Sequence, residues 1–256
     1  MAISTALPQN KRSPAVSEAK PLQLPIDNDP RTESDNRYER KFAIYNLDLP
    51  QVEMVLNLNP AAFTSIYKPR YINNIYLDTP QRHSFHQTVA GSTPRKKVRI
   101  RWYGTMKGHI PNPVLEFKIK EGLTGYKISL PLSPFTLENT FTQTDLNTLI
   151  KKSVIPGDIR QQLDLLEPAL LNRYHRSYYL SGSKNVRATV DTNLTFHDIF
   201  NSTSPLSSRS ARDCVTVVET KYSPDDDREA AAIATAFPFR LTKFSKYVMG
   251  IEQINA

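Results

Sequence analysis

The sequence has few of the residues on which many metal and nucleotide sites depend. Cys214 is the only cysteine in 256 residues, which excludes an intramolecular disulfide and a cysteine-cluster metal site. The five histidines include no H-E-x-x-H pair, which argues against a histidine-based zinc enzyme. None of the eight glycines falls in a P-loop or a G-x-G-x-x-G pattern. Any phosphate site must therefore be built without these backbone cradles.

Long apolar segments are also missing. No stretch approaches the roughly 18 consecutive apolar residues of a membrane span. The N-terminal sequence MAISTALPQNKRSP has no apolar core of the signal-peptide type. These features predict a cytoplasmic protein without a membrane span. Hydrophobic residues still make up 39% of the chain, which is enough to form a buried core.

Positive charge is in excess, with 33 lysines and arginines against 25 aspartates and glutamates, a net charge of +8. Residues 1–36 carry four basic and five acidic side chains, so the excess belongs to residues 37–256. This balance predicts an anionic partner. Nucleic acid, phosphorylated small molecules and acidic lipid headgroups all remain open at this point.

The chain divides into a tail over residues 1–36 and one domain over residues 37–256. The tail has five prolines and no aromatic residue, a composition that predicts disorder. Runs rich in Val, Ile, Tyr, Phe and Thr predict strands over 37–45, 71–78, 96–104, 113–121, 125–132, 171–180, 185–194, 212–222 and 239–247. Helices are predicted over 48–58, 144–152, 158–166 and 223–237, and a loop over 201–211. The domain is therefore mainly β, of the α+β class.

Charged side chains share one face of several of these strands, because residues two apart in a strand point to the same side. The charged faces carry Arg37, Glu39 and Lys41; Arg99 and Arg101; Glu116, Lys118 and Lys120; Arg187 and Asp191; and Glu219 and Lys221. Ordinary amphipathic strands with their charges in solvent would explain each strand alone. Cations and carboxylates nevertheless recur together, and the few helices could cover only one sheet face. We therefore expect a closed antiparallel barrel with apolar outer and charged inner faces.

A lumen rich in lysine and arginine suits a polyanion such as a triphosphate. A few carboxylates among the cations could hold a divalent metal, and oxygen ligands favour Mg²⁺ or Mn²⁺ over zinc. Phosphoryl transfer needs mainly positioning and electrostatic stabilisation, so the absence of an evident nucleophile is no obstacle. Tyr174, His175, Tyr178 and Tyr179 are interpreted as barrel packing residues.

The sequence resembles the triphosphate tunnel metalloenzymes, and within them the VTC domain of polyphosphate polymerases. The resemblance rests on RYERKF, NNIYLDTP, KVRIRWYG, LEFKIK, LNRYHRSYY, VRATVDTNL, VVETKY and KFSKYVMGI, in this order between Arg37 and Ile251. It implies an antiparallel eight-stranded β tunnel with helices packed outside. The wider superfamily begins with E-x-E-x-K, whereas here Arg37 takes the place of the first glutamate. Because hydrolytic members use that carboxylate for metal binding, its loss favours a polymerase.

The resemblance and the strand faces together give a set of candidate site residues. The catalytic candidates are Lys41, Arg99, Arg101, Lys118 and Arg187. Further substrate-binding candidates are Arg37, Lys120, Lys221, Lys243 and Lys246. Glu219 would be the main metal ligand, with Glu39 and Glu116 as further candidates.

Three functions fit this sequence. The first is a polymerase that transfers the γ-phosphoryl group of ATP to inorganic phosphate or polyphosphate with Mn²⁺ or Mg²⁺. The second is a triphosphatase that transfers the same group to water. The third is a non-catalytic binder of polyanions, for which nucleic acid is disfavoured because no recognised motif or aromatic–basic series is present. The family often works beside membrane proteins, which makes a membrane protein a candidate partner.

Overall fold

The structure is a computed structural model that describes residues 37–121, 124–199 and 210–255. The predicted tail over 1–36 and most of the predicted loop over 201–211 lie outside the described residues. The part that is described has strands and helices in an order close to the one predicted, with one large sheet at its centre.

The strands are β1 (Tyr38–Ile44), β2 (Thr64–Asp78), β3 (Arg95–Tyr103), β4 (Gly108–Ile110), β5 (Val114–Glu121), β6 (Thr124–Pro131), β7 (Phe135–Leu137), β8 (Glu167–Leu180), β9 (Arg187–His197), β10 (Ser210–Asp213) and β11 (Thr216–Tyr222). The helices are α1 (Leu49–Leu58), α2 (His83–Ala90), α3 (Gln143–Lys152), α4 (Gly157–Leu163), α5 (Asp227–Ala236) and α6 (Lys246–Asn255). A 3-10 turn over Pro224–Asp226 precedes α5. The prediction missed α2, α6, the short strands β4 and β7, the first seven residues of β2 and the first four of β8.

Nine strands form a single antiparallel sheet in the order β1-β11-β9-β8-β2-β3-β5-β6, with β10 paired to β9. Strands β4 and β7 form a separate two-stranded sheet. Within the described ranges no backbone pairing joins the outermost strands β1 and β6. The mainly β, α+β class is confirmed, whereas closure of the sheet into a barrel is not.

The large sheet nevertheless curls strongly. Strands β1 and β5 stand first and seventh in the order, which in a flat sheet would separate them by about 29 Å at ~4.8 Å per strand. Instead the Nζ of Lys118 on β5 lies 2.8 Å from Oε1 of Glu39 on β1. The face that carries these side chains, which we call the inner face, is therefore concave.

The opposite, outer face forms the main hydrophobic core with most of the helices. One part of this core joins β3 and β5 to α3 and α4 and includes the buried Trp102 and Phe117. A second part joins β1, β9 and β11 to α1 and α5. Helix α1 begins at a capping box of Asp48 and Gln51. No helix among the described residues has the length and apolar character needed to cross a membrane.

Helix α6 departs from the expected arrangement because it packs on the inner face. Gly250 approaches so closely that an added Cβ would lie 2.4 Å from Cδ2 of Leu170 and 2.5 Å from Cδ1 of Phe196. The predicted strand over 239–247 is correspondingly wrong, since only an isolated bridge between Phe42 and Leu241 precedes the helix. The backbone N–H of Met249 donates to the carbonyl of Ser245, so the chain turns helical just where the strand was expected to continue.

Candidate functional site

The inner face places Glu39 and Glu219 around one lysine. The Nζ of Lys41 donates to Oε2 of Glu39 at 2.8 Å and to Oε2 of Glu219 at 2.5 Å. This follows from the pairing of β1 with β11, in which Lys41 lies opposite Glu219 and Glu39 lies opposite Lys221. Lys221 and Lys118 also contact Glu39, at 3.5 and 2.8 Å.

Charge keeps these two carboxylates ionised. Burial and the neighbouring Glu219 would raise the pKa of Glu39, but Lys41, Lys118 and Lys221 outweigh them and lower it. Burial likewise opposes ionisation of Glu219, yet Lys41 and Lys221 hold its pKa well below the ordinary value. The pKa of Lys41 is raised against the effect of burial by Glu219 and Glu39. The lysine is therefore a firmly charged donor at neutral pH.

A second group of charges surrounds Glu116 on β5. Arg99 donates through Nε to Oε2 of Glu116 at 2.7 Å, and Arg101 donates through Nη1 to Oε1 at 3.2 Å. Lys127 on β6 approaches the same carboxylate at 3.8 Å. Burial raises the pKa of Glu116, but Arg101 and Arg99 lower it further than burial raises it. Both arginines are thereby held side by side with their guanidinium groups on the inner face.

A third group, which the sequence analysis did not identify, is centred on Asp191. This fully buried carboxylate accepts two hydrogen bonds from Arg176, at 2.6 and 2.7 Å, and lies 2.6 Å from Nζ of Lys246. Lys246 and Arg176 also lie over the ring of the buried Tyr174, at 4.8 and 5.3 Å from its centroid. Lys246 is the first residue of α6, so Asp191 links the start of that helix to the sheet.

Lys97 on β3 differs from the other inner-face lysines because its hydrogen-bond partner is neutral. Its Nζ donates to Oγ of Ser245 at 2.9 Å. Burial lowers the pKa of Lys97, and the positive charges of Arg95, Lys118, Lys41 and Arg99 lower it further, to about 7. Burial and the neighbouring cations thus both disfavour the charged form of this lysine, and a nearby anion would favour it.

The structure brings together most of the predicted site residues but not all of them. The inner-face groups contain Lys41, Arg99, Arg101, Lys118, Lys221, Lys246, Glu39, Glu116 and Glu219. Arg187 lies opposite Lys221 in the sheet, and its side chain is exposed. Lys120 is half-buried near the end of β5, beyond Lys118. Arg37 and Lys243 are exposed, the first before β1 and the second in the segment that leads to α6.

The predicted metal ligands fall into two places. Glu116 is paired with two arginines, whereas Glu39 and Glu219 share the ammonium group of Lys41. Within the described ranges no three His, Cys, Asp or Glu residues are grouped so that they could hold a metal ion. Two ionised carboxylates that already contact one cation do fit Mg²⁺ or Mn²⁺, because such ions need few protein ligands when substrate phosphates and water supply the rest. Glu39 and Glu219 are therefore the pair suited to this role.

Sequence reasoning missed Arg176 and Asp191 as members of the site. Alternation along the strand places Asp191 on the charged face with Arg187, but the pattern of one strand does not reveal its partners. In the run RYHRSYY, Arg176 lies two residues from both Tyr174 and Tyr178 and so shares a strand face with them, which was the available signal. The direct pairing of Arg176 with Asp191 across β8 and β9 completes it.

Comparison with known proteins identifies the family. The family model of the VTC domain matches residues 36–255. A search of the curated proteins finds no match. Among solved structures, the PH1819 protein of Pyrococcus horikoshii is 14% identical with a TM-score of 0.45, the match covering 85% of this chain and 98% of that one. A protein of Vibrio parahaemolyticus described as a candidate adenylate cyclase is 13% identical with the same TM-score, covering 85% and 99%. Because the family model matches most of the chain, this protein belongs to the VTC domain family.

Proposed function

We propose that this protein is a metal-dependent polyphosphate polymerase. It transfers the γ-phosphoryl group of ATP to the terminal oxygen of inorganic phosphate or of a growing polyphosphate chain. The bond between the γ-phosphorus and the β–γ bridging oxygen breaks, a new P–O–P linkage forms, and ADP leaves. The site of this reaction is the inner face of the sheet, and membership of the VTC domain family supports the assignment.

The observation that carries the proposal is the excess of cations over carboxylates on the inner face. Four carboxylates are paired there with eight lysines and arginines. The carboxylates are Glu39, Glu116, Asp191 and Glu219, and the cations are Lys41, Arg99, Arg101, Lys118, Lys127, Arg176, Lys221 and Lys246. Such a surplus repels itself when the face is empty and is relieved by a bound polyanion.

Arginine side chains are well suited to bind the transferred group. Arg99 and Arg101 each keep further N–H donors beyond those given to Glu116, and such donors match phosphate oxygens. In this proposal Lys118 and Lys41 neutralise the charge that develops on the equatorial and bridging oxygens. The carboxylates hold the cations in place before substrate arrives, so little reorganisation is needed during the reaction.

A divalent metal would be held by Glu219 and Glu39. Bound there, it would neutralise charge on the phosphate oxygens and keep the donor in line with its acceptor. Lys41 occupies the position between these carboxylates and would shift toward a phosphate oxygen when the metal binds. Glu116 would act instead by orienting Arg99 and Arg101.

The curled sheet would enclose its substrate as a tunnel. The ion pair between Lys118 and Glu39 spans the inner face between strands that lie six positions apart in the sheet. With α6 packed against one end, bulk water would have restricted access to the reacting phosphate. Restricted water favours phosphate as the acceptor, and so polymerase over triphosphatase activity.

Two alternatives use the same charges. A triphosphatase would transfer the γ-phosphoryl group to water, but Arg37 stands where the hydrolytic tunnel enzymes have a metal-binding carboxylate. A non-catalytic binder of polyanions would need the cations but not a pair of ionised carboxylates around one cation. The polymerase uses both the surplus of cations and the pair of carboxylates. A membrane protein remains the proposed kind of partner.

Incubation with ATP and Mn²⁺, with separate assays for polyphosphate, ADP and orthophosphate, tests the proposal. The polymerase produces polyphosphate and ADP in step, and chelation of the metal stops both. Orthophosphate with ADP and no polyphosphate identifies a triphosphatase. Absence of turnover, together with tight binding of tripolyphosphate, identifies a binder.

A further inference from the structure

Four side chains on the inner face form a cluster that the phosphate chemistry does not use. We call it the mouth cluster, and it consists of Tyr67, Arg70, Tyr103 and Tyr178. Tyr67 and Tyr103 are 46% and 47% exposed, a large fraction for aromatic residues in a folded domain. These four residues come from three neighbouring strands, β2, β3 and β8.

The mouth cluster lies at the end of the inner face that α6 leaves uncovered. On β8, the first residue of α6 lies over Tyr174 and Gly250 packs on Leu170, so the helix runs away from Tyr178. On β3, Arg99, Arg101 and Tyr103 follow one another at intervals of two residues, so Tyr103 is farther along the strand than both arginines. The cluster therefore stands where a bound polyanion would project from the sheet.

Arginine fixes the aromatic rings of the cluster. The guanidinium carbon of Arg70 is 4.0 Å from the ring centroid of Tyr103 and 5.2 Å from that of Tyr178. Its Nε also donates to the hydroxyl of Tyr178 at 2.8 Å. Tyr67 meets Tyr178 edge-on with 5.7 Å between ring centroids. The rings are thus ordered before any ligand binds, which lowers the entropic cost of stacking on them.

We propose that the mouth cluster stacks against the base of a nucleoside triphosphate whose phosphates lie on the inner-face cations. This inference rests on the proposed function for the phosphate site. It adds to that function the side chains that hold the base of the nucleotide donor.

The spacing of the strands suits such a ligand. Tyr103 follows Arg101 by two residues, and Tyr178 follows Arg176 by two, which is about 7 Å along a strand. A ribose separates the base of a nucleotide from its α-phosphate by a comparable length. Base stacking on tyrosine is tolerant of base identity, because every base has a π-face. We therefore expect little discrimination among nucleobases but clear discrimination against a ligand without a base.

The test compares the affinities of ATP and tripolyphosphate by calorimetry in the presence of EDTA, which prevents turnover. Tyr103→Leu removes the ring at an exposed position and should weaken ATP binding about tenfold, equivalent to about 1.4 kcal/mol of lost stacking. Its affinity for tripolyphosphate should stay within about twofold of wild type. Tyr103→Phe keeps the ring and should restore ATP binding.

Tyr71→Leu is the matched control. Tyr71 is also exposed and lies 3.8 Å from the guanidinium carbon of Arg173, but it is on the outer face of β2. Its loss should change neither affinity. Equal weakening of both ligands in Tyr103→Leu, or no weakening of ATP, would overturn the inference.

The two proposals fail in distinguishable ways. Wild-type binding of tripolyphosphate reports on the phosphate site, whereas the ratio of ATP to tripolyphosphate affinity reports on the mouth cluster. If Tyr103→Leu changes that ratio but the protein makes no polyphosphate, the nucleotide site stands and the polymerase proposal falls. If the protein makes polyphosphate and the ratio is unchanged, the opposite holds.

Discussion

Replacement of Lys97 by methionine tests the electrostatics of the inner face without any ligand. The substitution keeps most of the side-chain volume and removes the amino group that donates to Ser245. Burial and neighbouring cations lower the pKa of Lys97 from 10.5 to about 7. Between these two pH values the unfolded chain binds a proton at this lysine that the folded protein does not. The contribution of Lys97 to the free energy of unfolding of the wild type therefore rises as the pH increases from 7 toward 10.

The magnitude follows from the size of the pKa change. A change from 10.5 to about 7 corresponds to about 5 kcal/mol of stability at ~1.4 kcal/mol per unit of pKa. Lys97 is only partly buried, and solvent screening reduces this figure to about 2 kcal/mol. We expect Lys97→Met to be more stable than wild type by about that amount near pH 6.5, with the difference falling toward zero near pH 10.

Urea denaturation of both proteins at several values between pH 6.5 and pH 9.5 measures this difference in the free energy of unfolding. Lys107→Met is the control, because Lys107 is exposed and hydrogen-bonds Asn139 away from the inner face. Its difference from wild type should be the same at every pH. A wild type more stable than Lys97→Met at pH 6.5, or a difference independent of pH, would refute the reasoning that burial and neighbouring cations disfavour the charged form of Lys97.

Three further predictions address the filled site. Glu219→Gln keeps the shape of the side chain but removes its charge, so metal-dependent turnover should fall about 100-fold or more. The rate of ADP release across a Mn²⁺ titration measures this loss, and wild-type activity would show that Glu219 is not a metal ligand. Tripolyphosphate should raise the melting temperature of wild type, and Arg101→Ala and Lys118→Ala should lose most of this shift. Arg40→Ala should keep it, because Arg40 pairs with Asp227 on the outer face, and the reverse result would show that the faces are misassigned. Tripolyphosphate binding at pH 7.5 should also cause uptake of up to about three quarters of a proton at Lys97, because a lysine with a pKa of about 7 is about three-quarters deprotonated at that pH. Calorimetry in two buffers of different ionisation enthalpy measures this uptake, and no uptake would contradict the prediction.

The faces of the strands could be predicted from the sequence because alternation is a local property. Arg99 and Arg101 alternate with Val98, Ile100 and Trp102, and the structure places the two sets on opposite faces as expected. The same argument located Glu116 on β5. A regular strand needs no tertiary information to decide which side chains point together.

Helix α6 was missed because two local signals compete at its start. The run FRLTKFSKY is rich in residues that favour strands, yet the hydroxyl of Ser245 accepts a hydrogen bond from the backbone N–H of Val248 and begins a helix. Tyr247 and Ile251 then lie four residues apart and are both buried, which is a helical period. Burial against the inner face, which no local pattern reveals, decided the outcome.

Contacts between residues of different strands could not be predicted from the sequence for a different reason. The mouth cluster depends on a register shift in β2 between Tyr67 and Arg70, which brings both residues opposite the inner face of β8. Alternation counted along the chain fails across such a shift. The sequence therefore predicts Tyr178 as a packing residue, whereas the fold assembles an aromatic–basic cluster from residues of three strands.

Transfer of the γ-phosphoryl group from one phosphate to another is the central claim, and isotope labelling tests it most directly. The full chain is incubated with Mn²⁺, ATP carrying ³²P at the γ-position and an unlabelled short polyphosphate, and the products are separated by length. We predict label in chains longer than the added polyphosphate, with one ADP released for each labelled phosphate incorporated. Label that appears only in orthophosphate, with the added chains unlabelled and unchanged in length, would contradict the account.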